Sequence, residues 1–307
     1  MAIRKYISEF YNLPIEQYNP ENGVKNENAA IRLSSYQETE ELIESLIQDP
    51  KIDKIQAIIL GMWSEWCSDE SDQTYIDFLI ANVDKLTNLK ALFFGEMTFY
   101  DCEISWIQQG DYSRLWAALP NLQHLQIRGA DGLSLGTIPQ NQLTHLIIES
   151  GGLHKAVLSE IAQGLWPQLQ HLELWLGCSE YGWNGDISTV TPLLSAALLP
   201  KLTTLALKNS EIQPQILAAL ISSDILPQLT EIDMSMGILG DKEAELILQH
   251  KDKFSGKKLN LSENFLSTPM VEKLQACLDV IADEQEYDEL DEEDLDDEDC
   301  RYVSVAE

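Results

Sequence analysis

One short apolar pattern returns along most of the chain, and it constrains the fold more than any other feature. Residues 120–127 read PNLQHLQI, and related phrases begin at residues 141, 167, 200 and 227. Counting weaker copies on both sides, eight units share a central apolar position: Ile58, Leu92, Leu125, Leu146, Leu172, Leu205, Ile232 and Leu259. A repeat of this length is typical of a solenoid, in which each unit packs on its neighbours.

Each copy alternates apolar and polar residues, which predicts a β-strand. The segments between copies carry apolar residues at helical spacing, such as Val157, Leu158, Ile161 and Leu165. Because strand and helix alternate, every strand returns parallel to the one before it. We therefore predict an α/β solenoid, a horseshoe with a concave parallel sheet and convex helices.

Two phrases identify the repeat type. LNLSENFLS at 259–267 and LGDKEAELIL at 239–248 resemble leucine-rich repeat proteins of the ribonuclease-inhibitor type, with Asn264 at that family's asparagine position. The phrases EISWI, IESGGL, HLELWLG and RYVSVAE resemble, more specifically, a family of bacterial cytoplasmic leucine-rich repeat proteins with an acidic C-terminal tail. The resemblance implies a non-enzymatic repeat protein with no catalytic residues to carry over.

The repeats divide the chain into three parts. Residues 1–51 do not repeat and are predicted to form an N-terminal cap with a short helix, and residues 52–281 form the leucine-rich repeat domain of about eight units. Residues 282–307 form an acidic C-terminal tail in which 283–299 hold thirteen acids in seventeen positions. The closing RYVSV is apolar again, so it either returns to the last repeat as a final strand or is offered to a partner as a peptide.

Charge and cysteine content limit the partners and the location. The formal net charge is -31, which argues against phosphate-mediated nucleic-acid binding and against an anionic membrane surface. Five scattered cysteines without a CxxC pair suggest neither a disulfide framework nor a zinc cluster. No run of 18 apolar residues occurs, so a reducing cytoplasm is the expected location.

Three of the five histidines fall at one register position of consecutive strands: His124, His145 and His171. Strands lie about 4.8 Å apart, so three imidazoles could converge on zinc, with Glu149 and Glu173 nearby as a base or supporting acceptor. The alternative is that a polar residue at this position belongs to the repeat itself and contributes to a binding surface. The sequence favours this second interpretation because no HExxH motif is present.

A further column, two residues along each strand from the position of Glu173, mixes Arg128, Glu149, Trp175 and Lys208. An aromatic anchor among charges is typical of a protein-binding patch. The segment GCSEYGWNGD at 177–186 is longer than the repeat needs and carries Tyr181 and Trp183. It is predicted to be a recognition loop, or else a cover over the sheet edge.

No phosphate-binding, nucleophile-elbow or metalloprotease motif occurs, so the sequence predicts a protein without enzyme activity or cofactor. The expected function is a scaffold that binds another protein through the concave face and the 177–186 loop. Two alternatives remain: a metal-dependent hydrolase at the histidine column, and an acidic decoy that acts through the C-terminal tail.

Overall fold

A computed structural model describes residues 3–35, 39–63, 71–287 and 300–306. The chain divides into two units of packed residues. The N-terminal unit comprises residues 2–149 and 163–168, and the C-terminal unit comprises residues 150–162 and 169–306. Each unit is described by itself.

The N-terminal unit is built on strands that follow the chain order. Its strands are β1 (Glu9–Phe10), β2 (Leu13–Gln17), β3 (Ala30–Leu33), β4 (Ala57–Leu60), β5 (Ala91–Phe94), β6 (His124–Arg128) and β7 (His145–Glu149). Strands β1 and β2 pair antiparallel through a tight turn, and every later pair is parallel. The helices are α1 (Thr39–Gln48), α2 (Gln73–Ala81) and α3 (Leu115–Ala118).

The C-terminal unit repeats the same arrangement. Its strands are β8 (His171–Gly177), β9 (Thr204–Ser210), β10 (Glu231–Asp233), β11 (Lys258–Asn260) and β12 (Asp279–Ile281), all of them paired in parallel. Helices alternate with these strands: α4 (Lys155–Gln163), α5 (Ile187–Val190), α6 (Gln213–Ser222), α7 (Asp241–Gln249), α8 (Lys251–Phe254) and α9 (Thr268–Gln275). Each unit is thus a mixed α/β array of mostly parallel strands, as a solenoid-like fold requires.

The predicted strand register is confirmed residue by residue within each unit. Ile58 lies opposite Leu92, which lies opposite Leu125 and then Leu146. In the C-terminal unit the same column runs through Leu172, Leu205, Ile232 and Leu259. All eight side chains are buried, because leucines two residues apart on a strand point to the same face, here the one that helices cover.

The parallel pairing extends beyond the eight predicted units. Ile31 on β3 lies opposite Ile58, and Val280 on β12 lies opposite Leu259. The segment around Ile31 reads AIRL and lacks the longer apolar phrase of the other copies, so the repeat pattern does not mark this strand. Helix α1 forms as predicted and buries Leu42, Ile43, Leu46 and Ile47.

After β12 the chain leaves the last repeat and then comes back. Residues 288–299, most of the acidic run, lie outside the described residues. Residues 300–306, which we name the strap, pack on the C-terminal unit and bury Val303 and Val305. RYVSV thus packs on the unit, but the strap contacts Asn209 and Met236 of earlier repeats and is not a strand of the sheet.

Cysteine chemistry differs from the sequence expectation. Cys102 is buried and disulfide-bonded, whereas Cys178, Cys277 and Cys300 carry free thiols. Scattered cysteines gave no local motif from which this bond could be predicted. Over the described ranges, no helix is both long and apolar enough to cross a bilayer.

Candidate functional site

The sheet face opposite the helices, here called the open face, is covered by the chain itself in the N-terminal unit. Phe10 packs with Ala57, Ile59, Ala91 and Phe93, all of which are fully buried except Phe10 at 4% exposure. Ile7, Tyr11, Leu13 and Ile15 pack around this cluster. The first strands of the predicted concave surface therefore form a second apolar layer and are closed to a partner.

A buried ion pair fixes the covering segment. Glu96 is fully buried and accepts hydrogen bonds from Arg32 Nε at 2.6 Å and from the backbone N–H of Ile7 at 2.9 Å. Arg32 Nη2 also donates to the carbonyl of Ile7. Burial raises the pKa of Glu96 while Arg32 opposes the shift. One carboxylate thus ties the segment to the sheet.

The histidine column does not form a metal centre in this unit. His124 and His145 lie opposite each other in register, and their rings stack with centroids 5.1 Å apart and planes 10° from parallel. Imidazole lone pairs lie in the ring plane, so two rings stacked in this way do not aim their nitrogens at one ion. Phe10 packs edge-on against His124 at 4.9 Å. His171 belongs to the C-terminal unit.

Arg128 and Glu149, two residues of the predicted binding patch, are buried and paired with each other. Both side chains are buried, and Arg128 Nε lies 2.5 Å from Glu149 Oε2. Gln126 Nε2 donates to the other carboxylate oxygen at 2.6 Å, and Arg128 Nη1 donates to the carbonyl of Met97 at 2.6 Å. The guanidinium also lies over the Phe93 ring. These groups satisfy one another and stabilise the interior.

The open face of the C-terminal unit carries a polar cluster centred on Glu173. Trp175 Nε1 donates to Glu173 Oε1 at 2.7 Å, and Lys208 Nζ reaches the same oxygen at 3.3 Å. His171 Nε2 lies 3.3 Å from Glu173 Oε2. Lys208 also lies over the Trp175 ring, 4.9 Å from its centroid. The structure thus brings together four of the predicted site residues.

The electrostatics of this cluster oppose acid–base catalysis. Burial works to raise the pKa of Glu173, but hydrogen bonds from His171 and Trp175 and the charge of Lys208 outweigh it and lower the pKa to about 2. A general base is most effective when its pKa is near the working pH. Glu173 therefore serves as a fixed negative charge that orients its neighbours.

Residues further along this open face are accessible. Glu231, Lys258 and Asp279 are exposed at consecutive positions of one column, and Ile281 is 36% exposed on β12. Asp233 is half-buried, accepts from Asn260 Nδ2 at 2.9 Å and lies 3.9 Å from Lys208 Nζ. Glu231, Asp233, Lys258 and Asn260 fall in the register columns of the repeat, but the prediction centred on aromatic and histidine side chains and passed over them. Asp279 and Ile281 lie on β12, which the eight predicted units did not include.

The 177–186 loop is packed inward and is not a free recognition loop. Trp183 is 2% exposed, and its ring lies against Gly185, where an added Cβ would come within 2.7 Å of it. Tyr181 is half-buried, and Asp186 caps α5 by accepting from the backbone N–H of Ser188 at 2.8 Å. The Trp183 ring is therefore used in packing, as in the second alternative for this loop, and binding of a partner by the loop stays a prediction.

Glycines make this packing possible. Gly177 has a φ of 72°, and a Cβ there would lie 1.7 Å from the carbonyl oxygen of Gly151. A Cβ on Gly152 would lie 2.1 Å from the carbonyl oxygen of Tyr181. The two backbones touch directly, so the glycines serve close approach between segments and not phosphate binding.

Among the described residues, no group of three or more histidine, cysteine, aspartate or glutamate side chains is arranged to hold a metal ion. In the C-terminal unit the polar cluster around Glu173 and Lys208 lies beside the exposed Glu231, Lys258 and Asp279 on the open face. The candidate site is therefore this face of β8–β12, without the buried Arg128 and Glu149.

The comparisons with known proteins include a solved structure that resembles this chain. A scan of protein-family models and a search of curated proteins found no match. The crystal structure of a protein from Bacteroides fragilis, a structural-genomics target, is similar to this chain with a TM-score of 0.79 and 35% sequence identity. The match covers 84% of this chain and 75% of that one. At this identity and coverage, the chain belongs to the same family as the Bacteroides fragilis protein.

Proposed function

We propose that the protein is a non-enzymatic scaffold of the leucine-rich repeat class that binds another protein through the open face of β8–β12. The observation that carries the proposal is the difference between the two open faces. In the N-terminal unit the face is closed by an apolar segment, whereas in the C-terminal unit it presents Glu231, Lys258, Asp279 and Ile281 to solvent.

Support for the repeat class comes from Asn264, which is fully buried. Its Nδ2 donates to the carbonyls of Met234 at 2.9 Å and Leu261 at 3.0 Å, and its Oδ1 accepts from the N–H of Leu239 at 2.9 Å. An asparagine that bonds the backbone of neighbouring repeats is what the ribonuclease-inhibitor resemblance implies for this position.

The chemistry of the face defines the partner. Acidic side chains outnumber basic ones among the described residues at these positions, since Glu231, Asp233 and Asp279 lie beside Lys208 and Lys258 and the charge of Glu173 is compensated internally. The exposed Ile281 adds an apolar contact. A protein with a basic patch around a small apolar group fits this surface, because complementary charge speeds association and excludes wrong partners.

The test uses charge reversal on the face. The double variant Glu231→Lys/Asp279→Lys should lose the protein that cross-links to the wild type in native lysate. Glu272→Lys on α9 is the matched control, because Glu272 is exposed on a helix and the change in charge per site is the same. Retention of the same cross-linked protein by the double variant would remove the proposal.

A second variant distinguishes binding by the open face from the acidic-decoy alternative. A chain whose acids between 288 and 299 are replaced by Ser and Asn should keep the partner if the open face binds it. A decoy would lose the partner with this variant and would show a steep salt dependence.

A cytoplasmic location is the second part of the proposal, and Cys102 provides its test. Disulfides persist in oxidising compartments and are rare in the cytosol. Acid quenching of whole cells, followed by alkylation under denaturing conditions and mass spectrometry, should label Cys102 as a thiol if the protein resides in the cytoplasm, since denaturation exposes this buried residue. An unlabelled Cys102 beside labelled Cys277 would instead indicate an oxidising compartment.

A further inference from the structure

The strap, residues 300–306, is held mainly through its backbone. Asn209, which is fully buried, donates through Nδ2 to the carbonyl of Val305 and accepts from the N–H of Val305 at 2.9 Å. The N–H of Ser304 donates to the carbonyl of Met236 at 3.1 Å. A side-chain amide that pairs with both backbone groups of one residue recognises an extended peptide as a neighbouring strand would.

Side chains of the strap alternate between the protein and solvent. Val303 and Val305 are buried, whereas Tyr302 between Arg301 and Val303 is 52% exposed and has its ring 5.5 Å from that of Phe265. This period of two belongs to extended backbone. Backbone bonds supply affinity in such grooves, and pockets for alternate side chains supply selectivity.

A charged anchor completes the groove. Arg301 Nη1 lies 3.7 Å from Glu243 Oε2 and donates to the carbonyl of Ile238 at 3.2 Å. Both charged side chains are under 10% exposed. Gly240 leaves room for the guanidinium, since a Cβ there would lie 2.5 Å from Nη1. Similarly, a Cβ on Gly151 would lie 2.2 Å from the carbonyl oxygen of Ala306.

We propose that Asn209, Met236, Gly240 and Glu243 form a peptide-recognition groove for an extended Arg-x-Val-x-Val segment, and that the strap of a second copy of the chain can occupy it. The groove lies at the ends of β9 and β10 and is independent of the open face. Its test therefore does not depend on the proposed function.

Two observations support exchange between copies. The hydrogen bonds of Asn209, Met236 and Ile238 to the strap and the ion pair of Glu243 with it are non-covalent, so an identical segment from another chain can make them. Exchange of an identical element is a low-cost route to a dimer. The twelve residues 288–299 that join the strap to the rest of the chain include ten acids. Like charges at this density repel one another, so the sequence of this run supplies no attraction within itself that would favour its own strap over that of a second copy.

The experiment uses the full-length protein and cleaves one peptide bond between the strap and the rest of the chain. A protease site replaces residues 290–295, and the purified protein is cut there. The cut strap should remain with the protein in size-exclusion chromatography. A labelled synthetic peptide of residues 300–307, with Cys300→Ser, should then displace it and bind saturably.

Peptide variants leave the folded protein untouched. Arg301→Ala and Val305→Asp in the peptide should each weaken binding about tenfold or more, because they remove a buried charge pair and a buried apolar contact. Ser304→Ala is the matched control, since it keeps the N–H that bonds Met236, and it should bind like the parent peptide. Equal binding of all four peptides would overturn the groove.

Exchange between copies is tested on uncut protein. Two differently tagged full-length preparations, mixed at high concentration, should yield mixed dimers that excess peptide dissociates. Absence of mixed dimers at millimolar concentration would overturn the second-copy assignment. A cut strap that no excess of peptide replaces would overturn exchange altogether and make the strap a permanent part of the core.

Discussion

Arg128 Nε lies 2.5 Å from Glu149 Oε2 on adjacent strands of the N-terminal unit, and both side chains are buried. Removing one partner of a buried pair leaves an uncompensated charge. We expect Glu149→Leu to lower the free energy of unfolding by about 3–5 kcal/mol. The double variant Arg128→Met/Glu149→Leu should recover most of this loss, as measured by urea unfolding. Arg114→Met, which breaks an exposed pair with Asp77, should cost less than about 1 kcal/mol.

A buried aspartate gives the N-terminal unit a stability that falls as the pH rises. Asp72 is fully buried, and the Tyr112 hydroxyl lies within hydrogen-bond distance of Asp72 and of Gln109. Burial raises the pKa of Asp72 from 3.8 to about 7, although the Tyr112 bond opposes the shift. The folded state then binds more protons than the unfolded state between these values. Stability from this group is fully present below pH 3.8 and is lost as the pH rises through 7.

Asp72→Asn tests this dependence, because an amide oxygen can still accept from Tyr112. The variant should be more stable than the wild type at pH 8 and should lose the decline between pH 4 and pH 7 in thermal unfolding. Asp77→Asn on the exposed side of α2 is the control and should leave the profile unchanged. An Asp72→Asn profile that declines like the wild type would assign the slope to other groups.

The strand register was predictable because two apolar residues, two positions apart, mark the buried face of every copy. The same register places Arg128 opposite Glu149, so their pairing was also contained in the sequence. It was interpreted as a surface because the pattern does not say what covers a face. The cover is the segment around Phe10, and its docking on Phe93 joins positions far apart in the chain without any period.

Sequence alone also does not show whether an aromatic residue in a glycine-rich segment contacts a partner or packs in the core. Trp183 could be a recognition group or packing material, and only the close contacts of Gly151, Gly152 and Gly177 show that its loop is packed inward. The return of the strap was easier to predict, because the apolar Val303 and Val305 after an acidic run need burial.

Glu173 should give the C-terminal unit the opposite pH dependence. Burial opposes its ionisation, but His171, Trp175 and Lys208 lower its pKa to about 2 from 4.5. A lowered acid contributes stability above pH 4.5, and this stability is lost as the pH falls toward 2. We expect Glu173→Gln to cost about 1–2 kcal/mol at pH 7 and nothing near pH 2. Glu231→Gln removes an exposed charge from the same face and should show no such window in urea unfolding.

Two glycines have nearly the same backbone φ angle but different surroundings, so substituting each by alanine distinguishes the cost of backbone strain from the cost of a steric clash. Gly177 has a φ of 72° and touches the backbone of Gly151, whereas Gly256 has a φ of 74° and has no atom within 4 Å of an added Cβ. Gly256→Ala should cost about 1 kcal/mol, since only the positive φ is penalised. Gly177→Ala should cost about 3 kcal/mol or more, because the loop of Trp183 must move away from Gly151. Trp183 fluorescence should shift to longer wavelength in Gly177→Ala alone, and equal losses of stability in the two variants would contradict the packing role.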